Sequence, residues 1–189
     1  MTHHQAPVTW EALNPSEARQ GGAGMCLQWA WASTPVGWGL AARSPRGVCH
    51  LSLSDTPNPV LEQEMRSLWP QAQWVHDEPA VAQVLAQAFT MRPRAHLLLR
   101  GSTFQLKVWE ALIRTEPGRV LSYSELARRC GQPGAARAVG GALASNTVAI
   151  LVPCHRVVRE SAETSQYRWG PARKQALQAW EASQHVVAG

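Results

Sequence analysis

LVPCHRVV, residues 151–158, is the stretch on which the reading of the second half of the chain turns. Its apolar residues suit a buried strand, yet Cys154, His155 and Arg156 sit in its middle. A free cysteine is usually a small core residue. A nucleophilic cysteine needs more: thiolate character, a partner that accepts its proton, and access. His155 is the adjacent base. In an extended strand, neighbouring side chains point to opposite faces. Contact between the two therefore requires a turn at Pro153–Cys154, or a bridging water.

A base of this kind needs an acceptor to orient it. Working outward, GPARKQALQAWEA (170–182) offers one. Pro171 sits where a helix can start. Ala172, Ala176, Leu177 and Trp180 make the expected apolar stripe, and Glu181, four residues after Leu177, lies at its edge and can point inward.

Upstream, the chain from 102 to 145 reads as helical. Ser102 and Gln105 have capping-box spacing before FQLKVWEALI (104–113), whose Phe104, Val108, Trp109 and Leu112 share a face. Pro117 and Gly118 stop that helix. Ser122 with Glu125 forms a second capping-box pattern and opens YSELARRC (123–130). After Gly131 and Pro133, AARAVGGALAS (135–145) gives another short helix. The pair has helix-turn-helix proportions, although an ordinary helical hairpin has the same signature. The second helix consists largely of Ala and Gly with one long basic side chain, Arg137. Small residues let a backbone press close to a partner, which is one feature in favour of nucleic acid, while the ordinary hairpin stays the commoner object.

The first half reads differently. Residues 1–24 end in QGGAG and read as a loose lead-in. MCLQWAWAS (25–33), VGWGLAARS (36–44) and GVCHLSLSD (47–55), separated by turn chemistry, predict an antiparallel meander. A helix over 59–70, a strand over 73–77, a helix over 78–89 and a strand over 95–100 follow.

With 189 residues, 45% of them apolar and 16% charged, the chain is globular and can bury a real core. No apolar run approaches the roughly 20 residues needed to span a bilayer. The N-terminus shows no basic segment followed by an apolar one, so no signal peptide and a cytoplasmic location are expected. The four cysteines, Cys26, Cys49, Cys130 and Cys154, are far apart and contain no C-x-x-C pair, which argues against a zinc ribbon or a disulfide framework. A net charge of +5 permits a polyanionic partner. There is no G-x-G-x-x-G and no P-loop, so no nucleotide cofactor is indicated.

FQLKVWEAL, GRVLSYSELA, AARAVGGAL and VPCHRVV, followed by YRWG and RKQAL, resemble the O6-alkylguanine-DNA alkyltransferase (methylated-DNA–protein-cysteine methyltransferase) family from about residue 99 to 181. The resemblance implies an α+β protein. Residues 1–98 would form a ribonuclease-H-like α/β domain, and residues 99–189 a winged-helix-like, mostly helical alkyltransferase domain with a helix-turn-helix. It implies irreversible, one-turnover transfer of an alkyl group from O6 of guanine, with O4 of thymine as a second candidate, to Cys154. The partner would be double-stranded DNA, entered through the minor groove, with the damaged base flipped out. The protein would act as a monomer, without cofactor, metal or membrane.

The same resemblance assigns roles. His155 takes the Cys154 proton through a water, and Glu181 polarises His155. Tyr123 crowds the phosphate beside the damaged nucleotide, and Arg137 fills the gap in the base stack. Ala136, Ala138 and Gly140 give the DNA-facing helix its smooth surface. Asn146 holds the turn between that helix and the active-site strand. Leu143, Val157 and Tyr167 line the base pocket, with the Arg168 backbone N–H aimed at the guanine oxygen. The chain departs from the family pattern at Thr147, where many relatives carry proline, at Gln166, and at ESAETS (160–165), which lacks the usual Asp-Gly turn. His3, His4, Cys26 and Cys49 give no convincing zinc ligand set. The alternative is a lesion sensor that flips the base without transfer; sensors of that kind replace the cysteine, and this chain keeps it.

Overall fold

TPVG (34–37) and SPRG (44–47) are the same turn written twice. In each, a hydroxyl at the first position accepts from the backbone two residues on: Val36 N–H to Thr34 Oγ1 at 3.2 Å, and Arg46 N–H to Ser44 Oγ at 3.0 Å. Each ends on a glycine with positive φ, 114° at Gly37 and 135° at Gly47. These turns close an antiparallel meander of β2 (Cys26–Thr34), β3 (Gly37–Ser44) and β4 (Gly47–Ser54), as the sequence predicts.

The computed structural model describes residues 8–161 and 166–187. His3, His4 and residues 162–165 of the ESAETS segment lie outside these. The chain divides into two compact units, Met1–Arg100 and Gly101–Gly189, and is a mixed α+β protein.

In the first unit, the meander sits within a six-stranded sheet. The strand β5 (Gln73–His76) adds in parallel beside β2, and β6 (Ala95–Leu99) lies parallel to β4. The lead-in reading of residues 1–24 fails here. Val8–Ala12 forms β1, parallel to β6 from Val8↔Ala95 to Ala12↔Leu99. Pro15–Arg19 forms α1, capped by a reciprocal Asn14–Glu17 box. The partner of β1 comes so late in the chain that no local pattern signals it.

Helices cover both faces. On one, α2 (Pro59–Leu68) contributes the fully buried Met65 to a core with Leu27, Leu40 and Leu98, and Trp31 donates its indole N–H to Glu62 at 2.7 Å. On the other, α3 (Glu78–Ala88) presses Leu85 against Gly39, where an added Cβ would meet Leu85 at 2.8 Å. Coverage of both faces leaves most of β3 and β4 buried, the polar His50 and Ser52 included.

In the second unit, α4 (Thr103–Ile113) begins at the complete Ser102–Gln105 capping box and buries Val108, Trp109 and Leu112. The Trp109 indole N–H bonds the Ala142 carbonyl at 2.9 Å and ties α4 to α6 (Ala136–Ala144). Between them, α5 (Tyr123–Arg129) follows a two-residue strand β7 (Leu121–Ser122), which pairs in parallel with β8 (Val157–Val158). Only half of the second capping box forms. Ser122 Oγ accepts from Glu125 N–H, whereas the Glu125 carboxylate turns to Arg128 and Arg129. The α5–α6 connection turns through Gly131 (φ 73°) and Gly134 (φ 88°). The last element is α7 (Pro171–Val187).

Candidate active site

The expected strand over 151–158 shrinks to Val157–Val158, and the backbone before it is tightly folded. Leu151 N–H bonds the Ala149 carbonyl at 2.7 Å around Ile150, whose φ is 70°. A β-branched residue in that region costs on the order of 1–3 kcal/mol and persists only when its surroundings enforce it. Asn146 does much of the enforcing. Its Oδ1 accepts from Val148 N–H at 2.9 Å, and its Nδ2 donates to the Val152 carbonyl at 2.9 Å. A second tight turn follows at Pro153 (φ −82°, ψ 63°), closed by Cys154 N–H to Val152 O at 2.8 Å.

Cys154–Arg156 then forms a single 3-10 turn. With three residues per turn, successive side chains diverge by about 120° instead of the strand's 180°. This resolves the geometric difficulty in the sequence. Cys154 lines a cavity of about 850 Å³, while His155 turns inward and is fully buried. His155 Nε2 meets Glu181 Oε1 at 2.8 Å. Its Nδ1 is buried and makes no hydrogen bond among the described residues.

Glu181 anchors more than the histidine. Arg156 donates Nη2 to Oε1 at 2.8 Å and Nε to Oε2 at 3.1 Å, and Gly118 N–H donates to Oε2 at 2.9 Å. Arg156 Nη1 continues to the Thr115 carbonyl and hydroxyl, both at 2.9 Å. Burial pushes the Glu181 carboxyl up, but hydrogen bonds and charge from His155 and Arg156 outweigh it and hold it at about 2. Burial pulls the His155 pKa down, against the opposing pull of Glu181, so the imidazole is neutral near pH 7. Burial also dominates at Cys154 and pushes the thiol up to about 11, although the Asn146 amide bond at 3.2 Å and the Lys174 charge oppose it. The resting group is therefore a thiol, and its proton must be removed during reaction.

Tyr123, Ala136, Arg137, Gly140, Leu143, Tyr167 and Arg168 line the cavity with Cys154. Asn146 stands behind it. Val157 is fully buried in β8 and Ala138 lies exposed on the outer side of α6; neither lines it. Burial pushes the Tyr167 hydroxyl well above its usual pKa. The Arg168 side chain donates to the Asn146 carbonyl at 3.0 Å.

On the inner face of α7 the sequence reading holds for Leu177 and Glu181 and misses Lys174 and Gln178. Ala172 and Ala176 are exposed. The buried residues are Lys174, Leu177 and Glu181, with Gln178 beside them. Lys174 Nζ donates to the Val157 carbonyl at 2.5 Å, and Gln178 donates to the His155 carbonyl at 2.8 Å. Positions 174, 177, 178 and 181 are helix neighbours, so the spacing was present, but three of them are polar. Arg156 and Thr115 were also missed. No group of three or more His, Cys, Asp or Glu suited to a metal occurs among the described residues.

The chain is similar to several known proteins. Residues 103–183 match the family profile described as 6-O-methylguanine DNA methyltransferase, DNA binding domain. The Escherichia coli bifunctional transcriptional activator/DNA repair enzyme Ada is 37% identical over 175 residues, covering 87% of this chain and 48% of its own length. A Mycolicibacterium paratuberculosis methylated-DNA–protein-cysteine methyltransferase is 52% identical over 83 residues, covering 44% of this chain and 50% of its own. The chain thus spans about half the length of the curated relatives it matches. Among solved structures, Mycobacterium tuberculosis O6-methylguanine methyltransferase superposes with a TM-score of 0.66 at 34% identity, covering 83% of this chain and 93% of that one. Mycobacterium tuberculosis OGT in complex with DNA gives 0.67 at 33% identity, covering 83% and 94%. A cysteine backed by a buried imidazole and carboxylate, in a fold that matches these structures over most of its length, places the chain in the O6-alkylguanine-DNA alkyltransferase family.

Proposed function

We propose that the chain repairs DNA by direct reversal, moving an alkyl group from O6 of guanine in a duplex to Cys154 once per molecule. The observation that carries this reading is the cavity-lining thiol with the His155–Glu181 pair behind it at 2.8 Å. Nε2 of His155 is committed to Glu181, which leaves Nδ1 to receive the thiol proton, through a water between the two. The sulfur attacks the alkyl carbon and an S–C bond forms. The C–O6 bond breaks with its electron pair moving to guanine, and the resulting guanine anion takes up a proton on a ring nitrogen, from Tyr123 or solvent, to restore the keto base. Electrostatic support at O6 comes from the Tyr123 hydroxyl or the Arg168 backbone N–H. A thioether has no easy route back to the thiol, so one chain performs one transfer.

The target atom is hard to reach inside a stacked duplex, so the base is flipped into the cavity. The exposed side of α6 carries Arg137, Ala138, Gly141 and Ala144. That surface suits close approach to a minor groove, with Arg137 filling the vacated stack, Ala136 and Gly140 at the cavity edge, and Tyr123 against the adjacent phosphate. Leu143 and Tyr167 would hold the base. In this reading residues 1–98 are ribonuclease-H-like, which the meander with flanking parallel strands supports, and residues 99–189 are winged-helix-like. Cysteine, imidazole and carboxylate come from one chain, which supports a monomer. Four free thiols suit a reducing cytoplasm.

The test is intact-mass measurement after incubation with duplex DNA containing O6-methylguanine. One added methyl on Cys154 and a restored guanine are expected. Tight lesion binding with an unreacted thiol would overturn transfer in favour of a sensor.

A further inference from the structure

A second cavity, of about 740 Å³, lies within the first unit, between the β3–β4 turn, the later turns of α3 and the start of β6. Its lining includes three arginines, Arg43, Arg46 and Arg94, together with His96, and no carboxylate. Two of these already have partners. Arg46 pairs with Glu11 at 2.5 Å and Glu17 at 2.8 Å, and His96 lies 3.5 Å from Glu11. Arg43 and Arg94 form no ion pair among the described residues.

Arg43 is nonetheless held. It is half-buried and donates Nε to Gln28 Oε1 at 2.9 Å, and Gln28 Nε2 donates in turn to Asp77 at 2.7 Å. A neutral amide thus aims the guanidinium without neutralising it, and its terminal amino groups have no acceptor among the described residues. The backbone is irregular at the same place. The β3–β4 register shifts between Ala42 and Arg43, and such bulges re-aim side chains. Gly47 lets the turn press on β6, since a Cβ there would lie 2.6 Å from the His96 carbonyl oxygen. Val48 and Val84 add apolar lining.

Guanidinium pairs favour phosphate and carboxylate through paired N–H donors. Two uncompensated cations suit a doubly charged phosphate better than one carboxylate. The volume is far larger than a bare ion needs and falls in the range of organic-ligand pockets. We propose that this cavity binds a phosphate group carried on an organic body of about mononucleotide size, with Arg43 and Arg94 as its principal contacts. Two sources offer that chemistry: a free phosphorylated molecule, or the backbone of a DNA strand.

The full chain, labelled with nitrogen-15, is titrated with inorganic phosphate and with deoxyguanosine 5′-monophosphate. Saturable shifts at the Gly47 amide and Arg43 Nε–H are expected, with the nucleotide binding more tightly than phosphate. Arg43→Gln and, separately, the exposed-site Arg94→Gln should each weaken nucleotide binding by about tenfold, the size of one charge-assisted hydrogen bond, while the methyl-transfer rate at saturating duplex is unchanged. Duplex binding measured against salt separates the sources. A slope reduced by about one in the variants assigns the phosphate to DNA, and an unchanged slope with nucleotide binding lost assigns it to a free molecule. No saturable shift with either probe and no slope change, or shifts that persist undiminished in both variants, would overturn the proposal.

Discussion

At the scale of residues, the site rests on a division of labour between two buried groups with opposite shifts. With its thiol at about 11, Cys154 would be ionised in only about one molecule in ten thousand near pH 7. Transfer through His155 removes that limit. We therefore expect the single-turnover rate to be level from about pH 7 to 9 and to fall on the acid side as His155 protonates. In His155→Gln the rate should be lower and rise about tenfold per pH unit over the same range, because only preformed thiolate reacts. A level profile in the variant would refute the role of His155. Glu181 is depressed to about 2 from 4.5, so its contribution is fully present above pH 4.5 and is lost as pH falls towards 2. Glu181→Gln leaves Arg156 buried without a counter-charge. It should lower unfolding free energy near neutrality by about 3 kcal/mol, flatten its acid-side slope in urea melts, and slow transfer. Cys154, His155 and Glu181 could be named from the sequence because their chemistry is distinctive. Arg156 could not, since a charged residue is read as solvated until a buried acceptor is seen.

At the scale of elements, α6 combines an interior that packs and an exterior that stays smooth. Val139, Ala142 and Leu143 are buried, while Gly141 is exposed and an added Cβ there meets nothing within 4 Å. Gly141→Ala should therefore stabilise the protein by about 0.5–1 kcal/mol through helix propensity, as read by thermal melting. It should also weaken duplex binding, because it roughens the side proposed to meet the groove. Stabilisation without loss of DNA affinity would move the contact elsewhere. The helices were legible because their signals are local: caps at Ser102 and Ser122, and Gly131 with Pro133 between the two short helices. The segment from Ile150 to Pro153 was not. Its turns are imposed by Asn146, and apolar residues in sequence read as a strand. On the inner side of α7, Leu177 and Glu181 were legible, whereas Lys174 and Gln178 were not, because polar residues in a helix read as solvated.

At the scale of the whole molecule, charge matters more than any one contact. The chain carries a net +5, and a protein that neutralises several phosphates releases their counterions. Affinity for an undamaged duplex should fall at least tenfold between about 50 and 200 mM salt and depend little on sequence. Weak salt dependence with strong sequence preference would point to a regulator. The sheet order shows the limit of local reading at this scale. Meander strands announce themselves through their turns, whereas β1 finds β6 across nearly the entire first unit.

The polar inner side of α7 fixes the rotational phase of that helix. An apolar stripe tolerates small slippage, because one aliphatic contact can replace another. Lys174 and Gln178 donate to the Val157 and His155 carbonyls, and Glu181 holds His155, Arg156 and the Gly118 N–H at once. Inserting one residue between 174 and 181 would swing the carboxylate by about 100° away from the guanidinium it neutralises. The helix is indexed to one setting, and the reactive sulfur inherits its alignment from that indexing.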